Sequence, residues 1–441
     1  MTVTAAGGYT KKSWKTCNIK EKILEKEKTV RFDKYTSQAM KGIAIVMMLF
    51  HHQYLSRKRF EGFTVSFAPF ADDTMIYMCS VFKICVPIYA FISGYGLYLS
   101  YRKKRSAPVR WTAGRLVKTM SGFWIIWILS AVIFQGMFGY VSKVYFSGGS
   151  RIEGLAAMGL DFLGLHSLFG TVTMNGTWWY MSAAVIFVIL VPLVMKNEDC
   201  LPMILALVVA VPHMLSLKIM GETNVYSFIP VFLMGMCAAK YELADRWLQV
   251  WNRGPKKIMK FLLEVLILFV LYKVYGKLPG SVYNEIRWGI FPIIVIAFCS
   301  EFITVIPGIR QVLLFLGKHS MNIFLIHTFI RHYFWSDFIY SFGHFVVNVL
   351  VLLGISLAVS IVLEWLKNIT GYNRLIRNIC EKIELTVSAL FTGQRRCPGF
   401  WHRSMLRTFL CINNRLSDRK NFSCMSGIIS GLECQCAAKI L

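Results

Sequence analysis

Charge is what this sequence has least of. Only 16% of its 441 residues are Asp, Glu, Lys or Arg, against about 25% in an ordinary soluble chain. Acids are scarcest, 23 against 49 Lys and Arg. Cofactor and metal signatures are missing as well. There is no P-loop, no H-E-x-x-H and no G-x-G-x-x-G, so neither a resident metal nor a nicotinamide is implied. The twelve cysteines form no extracellular framework. Cys79, Cys85, Cys237 and Cys299 lie in apolar runs, where a thiol behaves as a small hydrophobe. Cys397, Cys411, Cys424, Cys434 and Cys436 crowd the tail without paired C-x2-C spacing, and His402 is the one histidine near them. No apolar stretch follows a short basic start, so no cleavable signal peptide is expected.

What is present is apolar. Hydrophobic residues make up 56% of the chain, and long runs recur from about residue 40 to residue 366. That excludes a soluble enzyme, a disordered chain and a secreted disulfide scaffold. The expected fold is all-α, a polytopic transmembrane helical bundle. About ten spans are expected, near 40–56, 75–101, 117–140, 177–195, 201–218, 225–241, 258–276, 284–304, 311–334 and 343–366. The stretch 154–171 is apolar but Gly-rich and holds Asp161 and His166. It reads as a re-entrant or interfacial segment.

The net charge of +26 has a topological source. Basic residues collect in cytoplasmic loops, and no nucleic-acid reader motif accompanies them. The loop from Arg102 to Lys118 holds seven Lys and Arg and no acid, and the loop from Lys240 to Lys260 is basic too. Both fall on one side, together with the two tails. An even span number with both termini cytoplasmic follows. Three regions result: a polar N-terminal tail at 1–38, a membrane domain at 39–368, and a basic, Cys-containing cytoplasmic tail at 369–441. Lys20–Lys28 reads as a solvated tail or a short surface helix. Residues 385–441 show no convincing period and receive no function.

Ionisable residues within spans are costly, and each is a functional candidate. In the first span Lys41 and His52 are eleven residues apart. That spacing is about 20° off a whole number of turns, so both share a face, about 16 Å apart along the axis. His51 points about 80° away from Lys41. Two readings stand: a polar path through the bundle with histidine as proton carrier, or side chains marking the two membrane interfaces. Ser93, Gly94 and Gly96 in the second span suit close helix packing. His332 and Asp337 have an H-x4-D spacing that chance readily produces among nine histidines.

KGIAIVMMLFHH, then FISGYGLYLSY and RWTAGRLVK, then NGTWWYMSAAVIFVILVPL, and finally GKHSMNIFLIHTFI together resemble the acyltransferase family 3 membrane O-acyltransferases, in order over about residues 38–366. The resemblance implies transfer of an acyl group, often acetyl from acetyl-CoA, to a hydroxyl of a carbohydrate or lipid-linked glycan. Acyl-CoA is then a co-substrate, with no bound cofactor. Partners are the glycan acceptor and membrane lipid, with no nucleic acid. The location is a multi-pass plasma-membrane protein of bacterial type.

The family's first span carries an arginine, ten residues and a histidine. Here Lys41 stands in the arginine place and His52 in the histidine place. Lysine keeps the charge but loses the bidentate fork. By resemblance Arg115 and Lys118 match the basic pair near the acyl donor, where phosphates would be drawn to them. The same loop also serves to set topology. Trp178 and Trp179 are an interface anchor or an acceptor-sugar platform. Ser320 and His327, seven apart, share a face. His327 is then a second proton carrier, a partner that orients His52, or a buried histidine satisfied by Ser320 or Asn322. Two alternatives remain beside the enzyme: an exporter of polysaccharide or amphiphile, which would more often show two related halves with broken helices, and a non-catalytic membrane partner of glycan assembly.

Overall fold

The structure is a computed structural model that describes residues 32–103, 108–217, 221, 223–277 and 284–393. Lys20–Lys28, His402 and the five tail cysteines lie outside the described residues. No named strand occurs among the described residues, and the architecture is all-α. The helices that matter below are α1 (Lys34–Tyr54), α2 (Asp72–Val81), α3 (Cys85–Lys103), α4 (Pro108–Phe138), α5 (Arg151–Phe162), α6 (Trp179–Met195), α7 (Leu201–Met214), α8 (Ile229–Lys240), α9 (Gly254–Val274), α10 (Pro307–Thr328), α11 (Phe345–Ile369) and α12 (Tyr372–Gly393). The unit Met1–Glu384 holds everything discussed here; of the second unit, Leu385–Leu441, only the end of α12 is described.

Each of the ten expected spans coincides with helix. Among the described residues six helices are long and apolar enough to cross a membrane, or seven if Val225–Lys240 and Leu243–Gln249, bent by 67°, form one span. Two of the others, α7 and α1, fall short for identifiable reasons. The α7 helix has 14 residues, about 21 Å, which is short of a bilayer core. The α1 helix is long enough but polar, and its polar residues face a cavity described below. The stretch expected to be re-entrant or interfacial forms α5, a 12-residue helix with a Ser150–Glu153 capping box, and then the short turn His166–Phe169. Neither piece is long enough to span.

Lipid tails are as apolar as leucine, so helices in a bilayer associate through close packing more than through exclusion of water. Small residues supply it here. A Cβ on Gly94 of α3 would sit 2.0 Å from the Phe232 carbonyl of α8, and one on Gly235 would sit 2.1 Å from the Phe91 carbonyl. Between α1 and α10 the pattern repeats. Cβ atoms on Gly42 and Gly317 would lie 2.2 Å from Leu313 O and 1.9 Å from Gln38 O. Gln38 Nε2 also donates to Leu314 O at 2.8 Å. Gly94 therefore has the packing role expected for it, whereas a Cβ on Gly96 would meet nothing within 4 Å.

Several charges buried away from the cavity have polar partners. Lys260 of α9 lies 2.5 Å from Glu301, both nearly fully buried, and Trp247 Nε1 donates to Glu264 at 2.9 Å. Asp161 is fully buried. It accepts from Trp127 Nε1 at 3.1 Å, from the Met174 amide at 3.2 Å and from the Tyr145 hydroxyl, and His166 Nδ1 stands 3.1 Å away. These bonds tie α5 and the segment before α6 to α4. A carboxylate with this many donors has the desolvation cost of burial offset by hydrogen bonds.

Candidate active site

Five helices, α1, α3, α4, α6 and α10, enclose two adjoining cavities. The larger, of about 790 Å³, begins at Asp33 and Lys34 and is walled by Lys103, Arg115 and Lys318 among others. The smaller, of about 360 Å³, reaches His51 and His52. Lys41, Ser93, Arg115, Thr119 and Ala184 belong to both walls, so these residues form a neck between two chambers. Lys34, Lys41, Met48 and His52 line the path at helical spacing on one face of α1. From Asp33 to His52 the path follows about 28 Å of helix. The face shared by Lys41 and His52 therefore lines both cavities.

The histidine end is held in place by hydrogen bonds. His51 Nδ1 lies 2.9 Å from Cys79 O. A carbonyl only accepts, so Nδ1 carries the hydrogen, and Nε2 of the neutral ring keeps its lone pair. His327 is fully buried. Its Nδ1 donates to Phe324 O at 2.9 Å and Ile323 O at 3.2 Å, while Nε2 accepts from the Thr328 hydroxyl at 3.1 Å. Its partners are thus its own helix backbone and Thr328, not Ser320 or Asn322. The His52 ring sits between the other two, with centroids 5.2 Å from His51 and 5.1 Å from His327. Among the described residues His52 makes no hydrogen bond of its own, and part of it faces the cavity. A ring nitrogen is left for a ligand.

The backbone that carries these rings is braced from outside the cavity. Gln53 Nε2 donates to Asn348 O at 3.3 Å, and the Tyr340 hydroxyl donates to Gln53 O at 3.3 Å. Trp178 Nε1 and Asn175 Nδ2 both donate to Leu325 O, at 3.0 and 3.3 Å. They fix α10 two residues before His327.

Trp178 is fully buried behind the wall, edge-on to Phe123, while Trp179 lines the smaller chamber. Arg115 and Lys118 of α4 both line that chamber. Arg115 is close enough to Lys41 for its charge to bear on it. Ser320 lines the smaller chamber too, and its hydroxyl donates to Gly317 O at 3.0 Å. His332 and Asp337 share no hydrogen bond or ion pair among the described residues, which leaves the H-x4-D spacing without a geometric counterpart.

Of two further wall residues, Ser93 was read in the sequence as packing and Lys83 went unnoticed. Ser93 faces both chambers, although its spacing suggested packing. Lys83 lines the smaller chamber beside the histidines and is 8% exposed. It lies on a 3-10 turn, Phe82–Ile84, between α2 and α3. Pro87 explains that turn, because a proline ring clashes with the carbonyl four residues earlier, here that of Lys83. The available signal was a lysine inside an apolar run followed by a proline.

A wide chamber rich in cations thus leads through a basic neck to a histidine with an uncommitted ring nitrogen. Such an arrangement can hold an anionic, elongated ligand and offer a base to its far end. No curated protein and no solved structure matches the chain. The Acyl_transf_3 family model, an acyltransferase domain, matches residues 35–365, a stretch that includes Lys41, Arg115, His52 and His327. The chain belongs to this family, acyltransferase family 3, and is a membrane acyltransferase.

Proposed function

We propose that the protein is an O-acyltransferase that moves an acyl group, acetyl in the simplest case, from acyl-CoA to a hydroxyl of a surface or cell-wall glycan or its lipid-linked precursor. The observation that carries this reading is the pair of adjoining cavities from Lys34 to His52. Acyl-CoA has phosphates at one end and a thioester at the other, with a slender pantetheine arm between. The larger chamber, with Lys34, Lys103, Arg115 and Lys318 in its wall, suits the phosphates. The neck suits the arm, and the smaller chamber receives the thioester. With the basic loops cytoplasmic, the donor enters from the cytoplasm of a bacterial-type plasma membrane, and the arm carries the acyl group toward the opposite face.

In that pose His52 takes the proton of the acceptor hydroxyl. The oxygen attacks the thioester carbonyl and forms a tetrahedral oxyanion. The C–S bond then breaks, and the imidazolium returns its proton to the departing thiolate. The ester and free coenzyme A result. A positioned base of this kind contributes about 10²–10⁴-fold. His327, whose Nδ1 is committed to backbone carbonyls, orients the His52 ring by contact. Lys41, about 16 Å from His52 along the helix, meets the donor and not the oxyanion. Trp179 offers an aromatic wall to the acceptor.

The test supplies radiolabelled acetyl-CoA and a native glycan extract to membranes holding wild type or His52→Ala at equal abundance. Label in an alkali-labile glycan ester with wild type, reduced at least about a hundredfold in the variant, is the expected result. Equal label in both removes His52 from the mechanism. No label in either overturns O-acetyl transfer and favours a glycan flux assay.

A further inference from the structure

A threonine inside a helix can return its hydroxyl to the carbonyl three or four residues earlier. At Thr328 both of those carbonyls are occupied. Phe324 O accepts from His327 Nδ1 at 2.9 Å. Leu325 O accepts from Trp178 Nε1 at 3.0 Å and from Asn175 Nδ2 at 3.3 Å. The Thr328 hydroxyl turns instead to His327 Nε2, 3.1 Å away, and the residue is 4% exposed. A second oxygen, Thr177 Oγ1, stands 3.4 Å off and gives its own hydrogen to Asn175 Oδ1 at 2.8 Å.

The directions in this network follow from chemistry. Carbonyls only accept, so His327 Nδ1 carries a hydrogen. The ring is fully buried, and no carboxylate is among its hydrogen-bond partners, so it is held neutral. Nε2 then keeps a lone pair, and Thr328 donates to it. Both nitrogens are committed, one as donor and one as acceptor. Turning the ring over would lose the bonds at both. His52 has no hydrogen bond of its own among the described residues, and the His327 ring lies 5.1 Å from it. Its orientation rests on its neighbours.

Resting on the acyl-transfer reading above, we propose that Thr328 is a positioning residue: its hydroxyl locks His327 in the one tautomer and orientation in which that ring braces His52, and His327 itself carries no proton in the reaction. Trp178 and Asn175 serve the same end, because by filling Leu325 O they leave the Thr328 hydroxyl to the histidine.

The test uses the full chain in lipid nanodiscs. Valine keeps the shape of threonine without its hydroxyl, and serine keeps the hydroxyl without the methyl, so a hydrogen-bonding role and a packing role predict opposite orders. Imidazole nitrogens of 15N-histidine-labelled protein are read by solid-state NMR, with the His327 signals identified by their loss in His327→Gln. The expected spectrum shows Nδ1 protonated and Nε2 unprotonated but hydrogen-bonded. Thr328→Ser keeps it, and Thr328→Val moves Nε2 to the position of a free nitrogen. In the transfer assay Thr328→Val lowers kcat about tenfold, on the scale of one lost hydrogen bond, while Thr328→Ser stays within about twofold. The KM for acyl-CoA moves less than about threefold in both, as expected of a group that acts away from donor binding. A protonated Nε2 in wild type, an Nε2 signal unmoved by Thr328→Val, or a serine variant as slow as the valine variant overturns the proposal. Retained coenzyme A binding shows that the variants are folded, and Thr328→Ala gives the same reading if the valine variant is not. The spectrum needs no turnover. Absence of transfer by wild type therefore overturns the acyl-transfer reading, and the positioning role with it, whereas a changed spectrum with normal kcat overturns the positioning role alone.

Discussion

The two ends of the cavity are built in opposite ways. At the histidine end, two of the three rings are tied through Nδ1 to backbone carbonyls, and the third is held by ring contacts on both sides. At the neck, Lys41 and Arg115 line both chambers, and the buried Arg115 Nε has no hydrogen-bond partner among the described residues. The difference fits the tasks proposed for the two ends. Proton transfer depends on a base within a few tenths of an ångström of its target, so its position must be fixed before the substrate arrives. Recognition of phosphates depends on charge and reach, which flexible cations supply. A charge-only view of the cavity would treat Lys41 and His52 as equals; the proposed acyl transfer separates them into a donor-holding end and a reacting end.

That separation is most directly broken at His52. His52→Ala is expected to lower the transfer rate by about 10²–10⁴-fold while leaving the KM for acyl-CoA within about threefold, because loss of a group used only in the transition state appears in kcat. Steady-state kinetics in nanodiscs with varied acyl-CoA checks this. A rise in KM with kcat preserved would place His52 in donor binding and erase the distinction. The reverse split is expected at the neck. Arg115→Ala should raise the KM for acyl-CoA by about 10–50-fold, the loss of one or two charge-assisted hydrogen bonds, with a smaller effect on kcat. The Arg115→Lys variant should recover only part of it, since an ammonium does not reproduce the guanidinium fork. Raising the salt concentration should weaken donor binding in wild type more than in Arg115→Ala.

Much of this division was legible in the sequence, and the limits were physical. Helical periodicity alone put Lys41 and His52 on one face, and the apolar runs located every helix that walls the cavity. Two kinds of information were missing. The first is contact across long sequence separations. Nothing in the spacing shows that His327 meets His52, which stands 275 positions earlier, although resemblance to the family brought both into the same expectation. The second is the environment of a charged residue in an apolar run. Lys83, Lys260 and Arg331 look alike in sequence, each a cation within an expected span. One lines the chamber, one forms an ion pair with Glu301, and one sits buried behind the histidines. By length and composition α1 is not counted as a span, because it gives up apolar character to line the cavity.

The packing beneath the cavity offers a smaller and sharper test. Gly317 and Gly96 are both helical glycines on walls of the larger chamber, and conformational propensity treats them alike. Their surroundings differ. A Cβ on Gly317 would lie 1.9 Å from Gln38 O and force α10 away from α1, whereas one on Gly96 would meet nothing within 4 Å. Gly317→Ala is therefore expected to destabilise the protein by about 1–3 kcal/mol and to lower activity, because α1 carries His52 and α10 carries His327 and their rings meet across that helix pair. Gly96→Ala should be neutral or slightly stabilising, by up to about 1 kcal/mol, since alanine favours the helix. Thermal melting in nanodiscs, paired with the transfer assay, measures both. If Gly317→Ala melts early yet leaves kcat unchanged, the ring contact between His52 and His327 is only structural, and a fixed base no longer distinguishes the histidine end. If stability and kcat fall together while Gly96→Ala keeps both, the position of His52 depends on how closely α1 and α10 approach.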